Sequence, residues 1–159
     1  MKVGIIGTGR MGKPMAKNIL KAGYSLTIYA RHPEKVKDLE SEGAKLVSSP
    51  AEVSAMSECI VLSLPFDPEV EEVVLGEKGI LVGASPGTLI LDTTTGTPKA
   101  AIEIAARVVK KGVRYLDAPI SGGVKGAIEG KLTFIVGGED ANVKKAMPLM
   151  ERLGSNVYQ

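Results

Sequence analysis

The chain has one cysteine, one histidine and no tryptophan among its 159 residues. A single cysteine excludes an intrachain disulfide and a metal centre built from thiolates. A single histidine excludes a multi-histidine cage, so no metal site is expected. Charge of neither sign dominates: 20 Lys and Arg stand against 18 Asp and Glu. No field of that kind draws a protein to nucleic acid or to an anionic membrane surface. No apolar run is long enough to span a bilayer. Met1-Lys2 leads straight into Val3-Gly4-Ile5-Ile6-Gly7, which has the shape of a strand and a turn rather than of a leader. Cys59 lies in the apolar run Cys59-Ile60-Val61-Leu62 and is expected to be a buried, reduced thiol in a cytoplasmic protein.

What is present is an ordinary globular composition, 44% hydrophobic and 24% charged, which excludes disorder and suits one domain with one good core. Short apolar runs alternate with longer amphipathic ones. Strands are expected at 2–6, 25–29, 44–47, 59–64, 88–91, 113–116 and 131–136, with a last one begun at 156–158. Helices are expected between them, at 10–22, 33–40, 50–57, 67–75, 98–111 and 139–153. Ser49-Pro50-Ala51-Glu52 has the pattern of a capping box with proline at the first helical position. Alternating β and α segments with continuously apolar strands predict an α/β fold: a doubly wound, mostly parallel (Rossmann) sheet, with extra strands at its C-terminal edge. Residues 1–159 read as one dinucleotide-binding domain.

The strongest motif is Gly7-Thr8-Gly9-Arg10-Met11-Gly12. It follows a strand and opens an amphipathic helix, the setting that the dinucleotide fingerprint requires. Gly7 permits the tight turn, Gly9 lets the backbone approach a pyrophosphate, and Gly12 allows close helix–strand packing. The helix start then offers amide N–H groups and the positive end of a dipole to the anion. A sequence that prefers NAD places an acid about 20 residues further on, to hold the ribose 2′-hydroxyl. Here the second strand ends Tyr29-Ala30-Arg31-His32-Pro33, with Lys35 close by. A guanidinium can bind a 2′-phosphate that a carboxylate would repel. NADP is therefore expected over NAD. His32 falls on the adenosine side, without an orienting carboxylate, and is not expected to be a base.

Three more loops follow strands at the edge where ligands of open α/β sheets bind. Leu64-Pro65-Phe66-Asp67 borders that crevice, and Asp67 is a candidate helix cap. In Asp92-Thr93-Thr94-Thr95-Gly96-Thr97 the hydroxyls could hold a ribose or a carboxamide, with Thr97 read as a cap. In Asp117-Ala118-Pro119-Ile120-Ser121-Gly122-Gly123, a hydroxyl and two unobstructed amides suit a carboxylate, although a plain flexible loop reads equally well.

The run Gly7 to Gly23 and the run Asp117 to Gly123, with Gly126-Ala127 and Gly130-Lys131-Leu132-Thr133, together resemble the two signatures of the β-hydroxyacid dehydrogenases. That resemblance implies hydride transfer between NADP(H) and a small β-hydroxy acid or its semialdehyde. It implies that Gly7, Thr8, Gly9, Arg10, Met11 and Gly12 hold the pyrophosphate and that Arg31, His32 and Lys35 select the 2′-phosphate. Leu64 and Pro65 would border the adenine-to-nicotinamide path, Thr95 would lie near the nicotinamide, and Ser121, Gly122 and Gly123 would bind the substrate carboxylate. The family's catalytic lysine belongs to a helical domain beyond these signatures. No catalytic residue is therefore assigned within 1–159, and the isolated domain is expected to bind cofactor with little turnover. The full-length protein is expected to be a homo-oligomer. A non-catalytic dinucleotide-binding sensor is the alternative reading. An imine reductase is a third, against which the Ser-Gly-Gly loop argues.

Overall fold

The computed structural model describes residues 1–159. Strand β1 (Lys2–Ile6) leads into α1 (Gly12–Lys21), and β2 (Ser25–Tyr29) follows. A 3₁₀ turn at Pro33–Val36 and a short α2 (Lys37–Ser41) lead to β3 (Lys45–Val47). The second half runs α3 (Pro50–Ala55), β4 (Cys59–Leu62), α4 (Asp67–Leu75), α5 (Ile80–Gly83), β5 (Leu89–Asp92), α6 (Pro98–Val109) and β6 (Arg114–Asp117). All six strands are parallel, in the order β3-β2-β1-β4-β5-β6. The order reverses between β1 and β4, which opens a crevice at the carboxyl ends of those strands.

A smaller second sheet closes the C-terminal end. It contains β7 (Ile120–Ser121), β8 (Leu132–Ile135) and β9 (Gly154–Tyr158), with α7 (Gly123–Glu129) after β7 and α8 (Asp140–Leu153) before β9. Strand β7 is antiparallel to β8, and β9 is parallel to it. A bridge between Asp117 and Gly137 joins this unit to the end of β6.

The sheet is apolar on both faces because successive side chains point to opposite sides. Ile5, Val61 and Leu91 face α1 and α8, where they meet Met15, Ile19, Leu149 and Met150. Ile60, Leu62 and Ile90 face the other way, onto Val53, Val74, Ile80, Ile104 and Val108. Each such side chain removed from water contributes about 1.5–3 kcal/mol. Cys59 is wholly buried in the first layer, and that burial pushes its thiol up to about 12.

Several local expectations need correction. Residues 33–40 do not form one helix: the 3₁₀ turn at Pro33–Val36 precedes a five-residue α2. Helix α5 was not expected; it is a single turn with no polar face, and its amphipathic signal is too short to read. The helix at 123–129 was not expected either; it is anchored where Asn18 Nδ2 donates to the Ala127 carbonyl at 2.8 Å. Strand β9 starts two residues earlier than expected, because α8 runs directly into it. The capping box forms in an altered way. Ser49 Oγ accepts from the Glu52 amide at 3.2 Å, while the Glu52 carboxylate turns to Ser48, whose hydroxyl donates to it at 2.7 Å.

Candidate functional site

An elongated cleft of about 1100 Å³ runs along the carboxyl ends of β1, β2 and β4. Its floor is the turn from Gly7 to Met11. Arg31, His32 and Lys35 stand at one end, and Leu64 and Pro65 border it from the β4 loop. Ten of the twelve residues expected on the cofactor thus line a single cavity. Gly12 does not line it, and neither does Thr95, which is exposed on the loop after β5.

The glycines explain the shape of the floor. Gly7 has a φ of +97°, and a Cβ there would overlap the Ser63 carbonyl of the neighbouring β4 loop. A Cβ at Gly12 would overlap the Gly7 carbonyl, so Gly12 lets the first turn of α1 close over the motif. Gly9 is different, since a Cβ there would meet nothing within 4 Å. Its bare face looks into open space beside the start of α1. The amides of Thr8, Gly9, Arg10 and Met11 donate to no backbone acceptor of the chain. Free amides, a bare glycine and the positive end of a ten-residue helix form a cradle that fits a diphosphate.

The cationic end is tied to that helix. Lys13 Nζ donates to the Lys35 carbonyl at 3.0 Å and pairs with Asp38 at 3.0 Å, while Lys17 pairs with Asp38 at 3.2 Å. The Lys13 hydrogen bond, helped by Lys17, holds the Asp38 carboxyl below its ordinary range. His32 does have a carboxylate beside it, contrary to the sequence reading: Glu34 lies 3.5 Å from Nδ1, with both side chains exposed. Sequence reasoning missed part of the cleft's lining. Ser48, Ser49 and Pro50 contribute to it from the start of α3, and Glu69, Glu72 and Glu77 from α4 and the turn after it. One carboxylate oxygen of Glu69 is shielded from water and has no hydrogen-bond partner. No local pattern marks these residues, because only the packing of α3 and α4 against α5 brings them to the cleft.

The loops after β5 and β6 meet in a buried polar cluster. Tyr115 Oη donates to Asp92 at 2.5 Å, and the other Asp92 oxygen accepts from the Thr94 amide at 3.0 Å. Burial pushes the Asp92 carboxyl up, with the Tyr115 and Thr94 hydrogen bonds opposing. Asp117, paired with Asp92 across β5 and β6, is raised by burial and then by Asp92 and Asp67. Two readings of these loops change. The Thr93 hydroxyl donates to the Leu62 carbonyl at 2.6 Å and the Thr94 hydroxyl accepts from the Leu64 amide at 3.0 Å, so both serve the fold. Asp67 does not cap its own helix; its carboxylate accepts from the amide of Thr97 at 3.2 Å and from its hydroxyl at 2.9 Å. Thr97 does cap α6, accepting from the Ala100 amide at 3.2 Å. Ser121 ends β7, and Gly122 and Gly123 open α7, both at positive φ. These three lie outside the cleft.

A family model described as the NAD binding domain of 6-phosphogluconate dehydrogenase matches residues 2–159. The mouse mitochondrial 3-hydroxyisobutyrate dehydrogenase is 43% identical over 155 residues, which are 98% of this chain and 46% of that protein. The NAD-dependent L-serine dehydrogenase of Pseudomonas aeruginosa is 39% identical over 157 residues, 99% of this chain and 53% of its own length. A crystal structure of 3-hydroxyisobutyrate dehydrogenase from Salmonella typhimurium superposes with a TM-score of 0.94 at 30% identity, covering 100% of this chain and 55% of that one. The chain thus spans about half the length of the relatives it matches. With the glycine cradle, the strand order and these matches in agreement, residues 2–159 belong to the β-hydroxyacid dehydrogenase family as its N-terminal NAD-binding domain.

Proposed function

We propose that the cleft binds NADP(H) and that the domain serves an enzyme moving a hydride between that cofactor and a small β-hydroxy acid or its semialdehyde. One observation carries this reading: the Gly7–Met11 cradle, the cationic Arg31–Lys35 turn and the Leu64-Pro65 border all face a single cleft. Gly9 and the free amides beside it would hold the diphosphate. Arg31 and Lys35 would pair with a 2′-phosphate, a role in which a forked guanidinium outperforms a point charge. When bound, the nicotinamide supplies the hydride chemistry, while the protein orients and screens it. Thr95, on the loop after β5, is proposed to approach that ring. The relatives are named for 3-hydroxyisobutyrate and L-serine. Both are small acids bearing a hydroxyl on the β-carbon, which supports a substrate of that class. Ser121, Gly122 and Gly123 are proposed to take its carboxylate.

The alkoxide formed as hydride moves needs a proton donor within hydrogen-bond reach. The family resemblance assigns that lysine to the helical half, so residues 1–159 by themselves should bind without appreciable turnover. A homo-oligomeric whole protein is part of the same proposal. A cytoplasmic setting is supported by the buried free thiol of Cys59.

Fluorescence titration with NADPH and NADH tests the cofactor choice. The chain should bind NADPH more tightly. Arg31→Ala should weaken NADPH by about 10- to 100-fold, the equivalent of one charged hydrogen-bonding group, and leave NADH nearly unchanged. Equal affinity for both cofactors in the unmodified chain would refute the role given to Arg31. Rapid substrate turnover by residues 1–159 would refute the assignment of the proton donor.

A further inference from the structure

From the hydrogen bonds beneath the β4 loop we infer that Tyr115, Asp92 and Thr94 form a positioning chain that holds the nicotinamide-side wall of the cleft. The inference rests on the cleft being a dinucleotide site. The chain starts on β6, where Tyr115 Oη donates to Asp92 Oδ2 at 2.5 Å. Asp92, at the end of β5, uses Oδ1 to accept from the Thr94 amide at 3.0 Å. That bond turns Thr94 so that its Oγ1 accepts from the Leu64 amide at 3.0 Å. Leu64 lines the cleft. Three strands are therefore linked in series, and the last link is a main-chain amide of the cofactor wall.

Two more contacts show that the loop is held at both ends. Before it, the Thr93 amide and hydroxyl both donate to the Leu62 carbonyl, at 2.9 and 2.6 Å. After it, the Asp67 carboxylate accepts from Thr97. Between them, the Ser63 amide donates to the Ile6 carbonyl at 3.0 Å, and Thr94 supplies the side-chain acceptor for Leu64 itself. Asp92, Thr93 and Thr94 are all at least nine-tenths buried, with 4%, 3% and 4% exposure, so water competes little for these bonds.

The position has a chemical consequence. In a doubly wound sheet each half of the dinucleotide lies over its own set of strands, on either side of the reversal in strand order. The Arg31 turn follows β2, on the adenosine side. Leu64, Thr94, Asp92 and Tyr115 lie on or just after β4, β5 and β6, on the other side. Loosening the chain should therefore weaken contact with the nicotinamide half alone. A group that merely stabilised the fold would affect both halves alike.

Thr94→Val keeps the shape and removes the acceptor. Binding of NADPH would be compared with that of 2′,5′-ADP, its adenosine half, and binding of NADH with that of ADP, with thermal unfolding measured in parallel. Thr94→Val should weaken the preferred dinucleotide roughly threefold to tenfold, the range of one net hydrogen bond. It should leave the matching half-ligand within about twofold, on the same scale. Thr94→Ser, which retains the oxygen, should restore tight binding. Tyr115→Phe tests the far end of the chain and should show the same selectivity in weaker form. Unchanged dinucleotide affinity in Thr94→Val, or equal loss for dinucleotide and half-ligand, would overturn the inference. If the unmodified chain binds neither dinucleotide, the cofactor reading falls and this inference with it. If it binds one and the variant matches it, the inference alone falls.

Discussion

At the scale of single residues, the carboxylates at the crevice end of the sheet carry an electrostatic cost. Asp117 stands across from Asp92 and faces Asp67 as well, and burial together with both neighbours raises its carboxyl above the ordinary 3.8. A raised carboxyl binds its proton more tightly folded than unfolded. Its stabilising effect is full below about pH 3.8, the ordinary value, and is lost as pH rises through the raised one. Asp117→Asn should therefore stabilise the protein at pH 7, and the gain over wild type should shrink as pH falls and vanish below pH 4. Asp117 is only partly buried, so screening keeps the gain below about 1 kcal/mol. Thermal unfolding of both proteins across that range measures it. A gain that persists unchanged at low pH would mean that the charge is not its source.

At the scale of elements, the turn from β1 into α1 depends on contacts too close for any side chain. A Cβ at Gly12 would overlap the carbonyl of Gly7, and that atom is backbone, which cannot swing away. Gly12→Ala must move the first turn of α1 off the motif. The cost should be about 1–3 kcal/mol of stability, typical of overpacking, together with a loss of dinucleotide binding. Gly9→Ala should behave otherwise. Its Cβ enters open space, so stability should hold within about 0.5 kcal/mol while binding falls. Chemical denaturation and cofactor titration of the two variants separate packing from recognition. Equal destabilisation by both would show that the open face of Gly9 is not a ligand surface.

For the whole molecule, Cys59 reports on global opening. It is wholly buried in the layer shared by α1 and α8, and burial lifts its thiol to about 12. A neutral thiol without access to solvent does not react. Alkylation of the native protein should proceed only as fast as the sheet opens, and saturating NADPH should slow it by mass action. Fast labelling at neutral pH, indifferent to cofactor, would mean that the β4 layer opens locally.

Much of this molecule is legible in its residues taken in order. Strong alternation of short apolar runs with amphipathic ones locates all six strands of the main sheet, because such runs have few other ways to bury both faces. The spacing of Gly7, Gly9 and Gly12 after a strand locates the cradle, since Gly7 takes a positive φ, Gly12 packs on the Gly7 carbonyl and Gly9 leaves open space for a ligand. The single turn α5 and the helix at 123–129 escape such reading. The first has too few residues for a period, and the second contains Gly123, Gly126 and Gly130 within or beside it, which read as loop.

The parallel sheet, the glycine cradle and the presence of Arg31 in place of an acid are each written in neighbouring residues. Which hydroxyls remain available to a ligand is settled by contacts between segments distant in sequence. Thr93, Thr94, Thr95 and Thr97 look alike in sequence, yet three of them are engaged by Leu62, Leu64, Asp67 and the start of α6, while Thr95 stays exposed. The difference arises because a hydroxyl's partner is set by strands that are adjacent in the sheet and some 30 residues apart along the chain.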